Sequence, residues 1–195
     1  MVSILQKEAP VLRAVAEPVN PKDFDSAQLK KIIRDMKTAL EKEPDGVAIA
    51  APQIGVPLRI FVVSHRAFEY ETTHNDHRNK DALLPEQAST SKQDLVFINP
   101  IITKLSRKKR WLTEGCLSVR WLYGEVSRAE KATVQAYDEH GKSFIRGGSG
   151  LLAQIFQHET DHLNGTLFSD TARNLETITE EEQERMRKEY TEHND

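Results

Sequence analysis

The segment of this sequence with the clearest capacity for chemistry holds two histidines four residues apart, His158 and His162. In a helix, residues i and i+4 lie on one face with their Cβ atoms about 5–6 Å apart, so both imidazoles can bind one ion. Glu159 follows the first histidine and lies about a third of a turn away from it. That position is poor for a third ligand but suits a base that takes a proton from water. The HExxH spacing is therefore typical of hydrolases that use a metal ion.

The residues around this pattern predict an amphipathic helix. The segment "GGSGLLAQIFQHETDHLNG" places Leu151 and Ile155 on the face that carries the two histidines. Ser149 is the expected N-cap, and Asn164-Gly165 is typical of a helix that ends in a left-handed turn. HExxH also occurs by chance on surface helices, but the apolar residues that precede it favour a metal site.

The third ligand has three candidate sources. In the longer pattern HExxHxxGxxH the last position would be histidine, but Phe168 occupies it, and a phenyl ring cannot bind a metal. Glu182, in the acidic run "TEEEQE", would give an endopeptidase of the HExxH kind. Cys116, in "TEGCLSV", would give one thiolate and two imidazoles, which suits a divalent transition metal and leaves a position free for water. The alternative for Cys116 is a buried, inert cysteine.

Three segments together resemble the peptide deformylases, which remove formate from N-formylmethionyl peptides. They are "GVAIAAPQIG" (46–55), "EGCLS" (114–118) and "QHETDHLNG" (157–165), and the resemblance extends from "APVLR" to "HLNGTLF". It implies a metal-dependent hydrolase that acts on the formyl group of newly made polypeptides. The alternatives are an HExxH metalloendopeptidase and a non-catalytic protein that binds N-terminal peptides.

The resemblance also implies roles for individual residues. Cys116, His158 and His162 would be the metal ligands, and Glu159 the general base. The side-chain amide of Gln53 and the backbone N–H of Leu117 would stabilise the oxyanion. Glu114 would support the site through an ion pair with Arg128. The residues expected to bind substrate are Gly46, Val47, Ala48, Leu112, Glu114, Gly115, Tyr123, Leu151, Gln154 and Ile155.

The resemblance implies one divalent metal ion as cofactor, usually Fe²⁺, with Zn²⁺, Ni²⁺ or Co²⁺ able to substitute. The implied partners are N-formylmethionyl nascent peptides. The basic run "RKKR" (107–110) has two interpretations, contact with ribosomal RNA or protection of a strand edge. Three features depart from the family pattern. They are Ala48 where a second glycine is usual, Gln154 at an often aliphatic pocket position, and Arg120-Trp121 where many relatives have proline after "EGCLSV".

Bulk composition limits the other functions of this chain. The 195 residues carry a net charge of -3, so no general attraction to DNA or to an anionic membrane is expected. The single cysteine cannot form an internal disulfide and fits a reducing compartment. No apolar run approaches ~20 residues, and the first residues lack a targeting pattern. We therefore expect a cytoplasmic protein from a bacterium.

The remaining elements predict a single α+β domain, with antiparallel sheets around the HExxH helix and a peripheral C-terminal helix. A helix is expected in "DSAQLKKIIRDMKTALEK" with Asp25 as its cap, strands at 59–64 and 95–100, and a hairpin at 131–146. The segment 46–57 is too rich in glycine and proline for a regular element. The expected division is a catalytic region at 1–170, with a polar insertion at 66–93, and a charged helical tail at 171–195.

Overall fold

The computed structural model describes residues 2–67, 93–179 and 181–185. The helices are α1 (Ala27–Glu41) and α2 (Gly150–Leu163). The strands are β1 (Ala48–Ala50), β2 (Ile60–Val63), β3 (Leu95–Leu105), β4 (Lys109–Gly115), β5 (Leu122–Ala129), β6 (Lys131–Tyr137), β7 (Ser143–Ser149) and β8 (Arg173–Thr177). The predicted α+β class with antiparallel sheets is confirmed.

A five-stranded antiparallel sheet in the order β1-β2-β3-β6-β7 forms the centre of the fold. Strand β2 is buried along its whole length, because successive side chains point to opposite faces and both faces are covered. Ile60 and Val62 belong to the core on one side of the sheet, and Phe61 and Val63 to the core on the other. The predicted hairpin is present as β6 and β7.

Each face of this sheet packs against a helix. Helix α2 lies on the face of Phe61, where its Phe156 contacts Phe61 and Phe97 with ring centroids 6.4 and 5.3 Å apart. Helix α1 covers the opposite face with side chains at helical spacing, namely Leu29, Ile33, Met36 and Leu40. The helix that carries HExxH is therefore held rigidly from behind by a packed apolar core.

The second sheet has three strands in the order β4-β5-β8 and brings the Cys116 segment to the site. Gly115, the last residue of β4, pairs with Tyr123 of β5. A Cβ atom at position 115 would lie 2.6 Å from the Tyr123 ring, so this close approach requires glycine. Cys116 follows directly, where the chain leaves the strand.

The structure differs from the sequence predictions at the starts of both helices. The cap of α1 is Ser26 rather than Asp25, and its side chain accepts a hydrogen bond from the Leu29 N–H at 3.1 Å. Serine and aspartate cap equally well, so adjacent capping residues cannot be separated by type alone. Ser149 stands at the N-cap position of α2 but makes no capping hydrogen bond with its side chain. The predicted end of α2 is present, since Gly165 has a φ of +73°.

Two further segments contain strands that the sequence did not predict. Within 46–57, Ala48–Ala50 form strand β1 and Ala51–Ile54 a 3-10 turn. Within the predicted helical tail, Arg173–Thr177 form strand β8, which pairs with β5, so the prediction of helix is wrong for these residues. Residues 181–185 are helical. The division at residue 170 stays a prediction.

The predicted insertion at 66–93 lies almost entirely outside the described residues, as does the end of the tail. Within the described ranges, none of the helices has the length and apolar character required to cross a bilayer.

Candidate metal centre

Three potential ligands converge at the inner face of α2. His158 and His162 are one helical turn apart with ring centroids separated by 5.0 Å. Cys116 comes from the chain that leaves β4, and its Sγ lies 3.2 Å from Nε2 of His162. One ligand atom from each of the three residues lies within 4.8 Å of the other two. The two sheets and α2 thus bring together the thiol and imidazoles that the sequence places more than forty residues apart.

The chemistry of this donor set fits a divalent transition metal. One thiolate and two imidazoles supply three ligands of a tetrahedral site and leave one position free. Burial raises the pKa of the Cys116 thiol, but the neighbouring His162 and His158 outweigh this effect and lower the pKa to about 5. The sulfur is therefore the thiolate, which is the form that binds metal ions.

Glu159 lies beside these ligands and is almost completely buried, with 4% of its surface exposed. Its Oε2 atom has no hydrogen-bond partner among the described residues. Burial, the largest effect, raises the pKa of Glu159 to about 7. A buried carboxylate oxygen without a partner is costly, and a pKa near neutrality suits a group that accepts and returns a proton.

A buried ion-pair network orients His158. Glu114 accepts two hydrogen bonds from the Arg128 guanidinium, at 2.7 and 2.9 Å. Its Oε2 lies 3.0 Å from Nδ1 of His158, which leaves the Nε2 of that ring for a metal ion. Asp161 also binds Arg128, at 2.6 Å. Burial opposes the charge on Glu114, but Arg128 and His158 outweigh it and lower the pKa of this carboxyl to about 2. Such a contact fixes the orientation of a ligand imidazole.

Gln53 lies on the opposite wall and is held at both ends of its amide. Its Oε1 accepts from the Ala50 N–H at 2.8 Å. Its Nε2 donates to Ser118 Oγ at 3.1 Å and lies 3.7 Å from Cys116 Sγ. Because the carbonyl end binds the backbone, the NH₂ end must face the thiolate. Leu117, the other predicted oxyanion residue, follows Cys116, and its carbonyl accepts a bond from Gln6 at 3.1 Å.

A cavity of about 280 Å³ opens beside this cluster. Most of the predicted substrate-binding residues line it, namely Gly46, Val47, Ala48, Glu114, Gly115, Tyr123, Leu151, Gln154 and Ile155. Leu112 is not among the lining residues, and its role in substrate binding stays a prediction. It lies on β4 directly before Thr113, which does line the cavity, and pairs with Val126.

Several contributors to the site were not predicted. Asp161 is the second acid on Arg128 and could have been found, because it lies three residues after His158 on the same part of the helix. Ser118 holds the Gln53 amide, and no feature of its sequence environment indicates this contact. Asp45, Thr113, Val119 and Leu122 line the cavity without having been predicted, beside Arg120 and Trp121.

The rival ligands occupy other positions. Glu182 is exposed, and its Oε2 accepts hydrogen bonds from the Thr179 N–H and hydroxyl at 2.8 and 3.0 Å, which makes it a helix-capping residue. Phe168 is buried, and its ring stacks near that of His158, with centroids 6.2 Å apart. Within the part of the chain that the structure describes, the group able to hold a metal ion is Cys116, His158 and His162.

Comparison with known proteins agrees with this geometry. The polypeptide deformylase family model matches residues 1–177. The chain belongs to the polypeptide deformylase family. Deformylases are hydrolases that act on nascent polypeptides, and they depend on a metal ion.

Individual deformylases resemble the chain over most of its length. The peptide deformylase of Symbiobacterium thermophilum is 36% identical over 194 residues, which cover 98% of this chain and 76% of the relative. Peptide deformylase 1A of Arabidopsis thaliana, chloroplastic/mitochondrial, is 38% identical over 161 residues, which cover 83% of this chain. The chain spans 57% of the length of that plant protein.

Solved deformylase structures share the fold. The peptide deformylase of Thermotoga maritima superimposes with a TM-score of 0.71 at 31% identity, and the match covers 89% of this chain and 98% of the other. A class I type b peptide deformylase from Acinetobacter baumannii with bound Met-Ala-Ser gives a TM-score of 0.70 at 29% identity, over 87% of this chain and 98% of that one.

Replacing Glu114 by glutamine tests whether this deformylase-like site depends on the buried ion pair. The change removes the charge that Arg128 and His158 share while keeping the shape of the side chain. We expect affinity for a divalent metal ion to fall about 10–100-fold, measured by competition with a chromophoric chelator. Glu125→Gln is the matched control, because Glu125 is more exposed and pairs with Arg173 in the same sheet. Equal affinities in the two variants would contradict the role given to Glu114.

Proposed function

We propose that this chain hydrolyses the N-formyl amide of formylmethionyl nascent polypeptides and releases formate. The observation that carries the proposal is the convergence of Cys116, His158 and His162 beside the buried carboxylate of Glu159, whose Oε2 has no hydrogen-bond partner among the described residues. Three ligands with a free fourth position suit catalysis, whereas a structural metal site is closed by four protein ligands.

We propose that Cys116, His158 and His162 hold one divalent metal ion, Fe²⁺ in the cell, with Zn²⁺, Ni²⁺ or Co²⁺ as substitutes. The thiolate and imidazole set is compatible with each of these metals. When bound, such an ion supplies Lewis acidity that makes water a nucleophile near neutral pH. Metal analysis of protein purified without oxygen tests the choice, since a predominance of zinc would overturn the assignment of iron.

In this mechanism, Glu159 moves the protons. Its carboxylate takes a proton from the attacking water and then transfers it to the departing amine, so that formate and a free N-terminus are the products. The raised pKa of Glu159, about 7, suits both transfers. The amide NH₂ of Gln53 and the N–H of Leu117 donate to the formyl oxygen as negative charge develops on it. Hydrogen bonds to Ala50 and Ser118 hold the Gln53 amide in place, so this donor needs little reorganisation during the reaction.

We assign the methionine side chain to the apolar part of the cavity. Val47, Leu151 and Ile155 line it and also belong to, or pack against, the core between α2 and the large sheet. Gln154 gives this wall a polar edge, because its amide donates to the Thr113 carbonyl at 3.0 Å and to Glu114 at 3.3 Å. A cavity with apolar walls and few polar groups suits an unbranched apolar side chain.

Replacing Gln53 by glutamate tests the oxyanion role. Glutamate keeps an oxygen that can accept from the Ala50 N–H but loses the NH₂ group that faces the substrate. We expect kcat to fall roughly 10²–10³-fold, with a smaller change in KM, because the donor acts on the transition state. Steady-state formate release checks this, and circular dichroism verifies the fold. A kcat within threefold of the parent would remove Gln53 from the mechanism.

Formate release from formyl-Met-Ala-Ser is the direct test of the proposed function. Protein prepared without oxygen is expected to release formate from this peptide and to leave its internal peptide bonds uncut. Cleavage of internal bonds would instead favour an endopeptidase, and binding without formate release would favour a non-catalytic peptide-binding protein.

We further propose that the protein works in the bacterial cytoplasm, where the Cys116 thiolate stays reduced. Bacterial relatives support this location, although the Arabidopsis relative is chloroplastic/mitochondrial by name. Contact with the ribosome through residues 107–110 is a secondary proposal. Lys108 and Arg110 of this run already pair with Glu130, which favours protection of the strand edge. Salt-sensitive co-sedimentation with ribosomes separates the two interpretations.

A further inference from the structure

The mouth of the cavity carries an ion-pair cluster that the proposed mechanism does not use. Arg120 binds Asp45 through both terminal guanidinium nitrogens, Nη1 and Nη2, at 2.5 and 3.0 Å, and Glu43 through Nη2 at 2.6 Å. Its guanidinium also lies 4.5 Å from the centre of the Trp121 ring. We call Arg120, Asp45 and Glu43 the rim cluster. It connects the segment that precedes β1 with the segment that follows Cys116, so it joins the two walls of the cavity.

The rim cluster supplies the cavity with charge that is separate from the catalytic groups. Seven charged or titratable residues line the cavity in the described part of the chain. Glu114, Cys116, His158 and Glu159 belong to the buried site and Tyr123 is a neutral phenol, which leaves Asp45 and Arg120 as the charges outside the site. Asp45 is also close enough to raise the pKa of Tyr123, behind the larger effect of burial. A peptide in the cavity therefore meets at the mouth a set of charges that differs from those at the reacting atoms.

The rim cluster lies where the part of the peptide after methionine must leave the cavity. The reacting end of the cavity is buried, with Gln53 and Glu159 exposed by 2% and 4%. The side chains of Arg120 and Asp45 are exposed by 18% and 37%. A nascent chain is too long for a cavity of about 280 Å³, so the residues that follow formylmethionine must leave through the mouth.

We propose that Arg120 is a specificity-determining residue, which sets the charge preference for the residue after formylmethionine. Two carboxylates and one guanidinium give the rim cluster a net charge of about -1, so it favours a basic residue over an acidic one. Arg120 limits this preference by neutralising one carboxylate. The inference rests on the proposed function but concerns discrimination between substrates, whereas the proposed function concerns the reaction itself.

The test measures kcat/KM for three amidated tripeptides, formyl-Met-Lys-Ser, formyl-Met-Ala-Ser and formyl-Met-Asp-Ser. Amidation removes the C-terminal charge, so that the second residue carries the difference. In Arg120→Met both acids of the rim cluster lose their partner, and we expect the Lys/Asp ratio of kcat/KM to rise three- to tenfold. In the double variant Glu43→Gln/Asp45→Asn the Arg120 guanidinium has lost both carboxylates of the rim cluster. The Lys/Asp ratio of kcat/KM should then fall below one.

Two additional readouts separate specificity from a structural role. The effect should fall on KM rather than kcat, and it should shrink as salt is raised from 50 to 500 mM, since salt screens exposed charges. Lys31→Met is the matched control: it removes the same charge from an exposed pair on α1, and its Lys/Asp ratio should equal that of the parent. A ratio unchanged in Arg120→Met, or an equal loss for all three peptides, would overturn the proposal.

The proposed function and this inference can fail separately. Failure of the parent protein to release formate from the alanine peptide would refute the proposed function. In that case, calorimetric affinities for the amidated products Met-Lys-Ser, Met-Ala-Ser and Met-Asp-Ser still report the charge preference. The Lys/Asp ratio of these affinities should again rise in Arg120→Met and fall below one in the double variant. A ratio that is the same in all variants would overturn the inference.

Discussion

Replacing Glu159 by glutamine is expected to lower kcat for formate release roughly 10²–10⁴-fold, while the metal content of the protein stays unchanged. Glutamine fills the same buried space but cannot take a proton from water or return one to the amine. General acid–base catalysis typically contributes a factor of this size. Formate release and metal analysis on the same preparation separate the loss of a base from the loss of a ligand.

The control for this prediction is Glu17→Gln, which makes the same chemical change at an exposed position. We expect it to match the parent in both measurements. A Glu159→Gln variant that retains a tenth or more of the parent kcat would show that another group moves the protons. A variant that loses its metal ion would make Glu159 a ligand, contrary to its position on the helix.

Replacing Cys116 by serine is expected to abolish both metal retention and turnover, with formate release lower by at least roughly 10³-fold. A serine hydroxyl stays protonated at neutral pH and is a poor ligand, whereas the pKa of Cys116 is about 5. Loss of the ion removes several kcal/mol of stabilisation from the transition state. Metal content after gel filtration, followed by an assay of formate release, checks both parts.

Two companion variants sharpen this test. Cys116→Asp restores an anionic ligand and should recover part of the metal binding. Glu182→Gln changes the rival third ligand, and the parent activity should persist, since Glu182 binds Thr179 at a helix start. Full activity in Cys116→Ser together with loss of activity in Glu182→Gln would support the endopeptidase alternative.

The site could be predicted from the sequence where its parts are local or belong to a specific motif. The i, i+4 spacing of His158 and His162 defines one helix face, and the apolar residues that precede them, Leu151 and Ile155, indicate which side of the helix is buried. Cys116 could be proposed as a ligand by its type and, more firmly, by resemblance to the deformylases. The pairing of Glu114 with Arg128 followed from the same resemblance and is present at 2.7 Å.

The remaining features depend on tertiary contacts that local patterns do not encode. Strand β8 consists of exposed, mostly polar residues, and it forms because β5 offers a free edge. The role of Ser118 as acceptor for Gln53 depends on how two loops meet. The ion pairs of Arg120 join residues 75 or more positions apart.

The most direct test of the central claim is metal content and formate turnover measured on one preparation purified without oxygen. If one ion is held by Cys116, His158 and His162, the protein should contain about one equivalent of divalent transition metal, and turnover of formyl-Met-Ala-Ser should rise in proportion to occupancy as metal-depleted protein is reloaded. Formate release that is unchanged after complete removal of the metal would contradict the account.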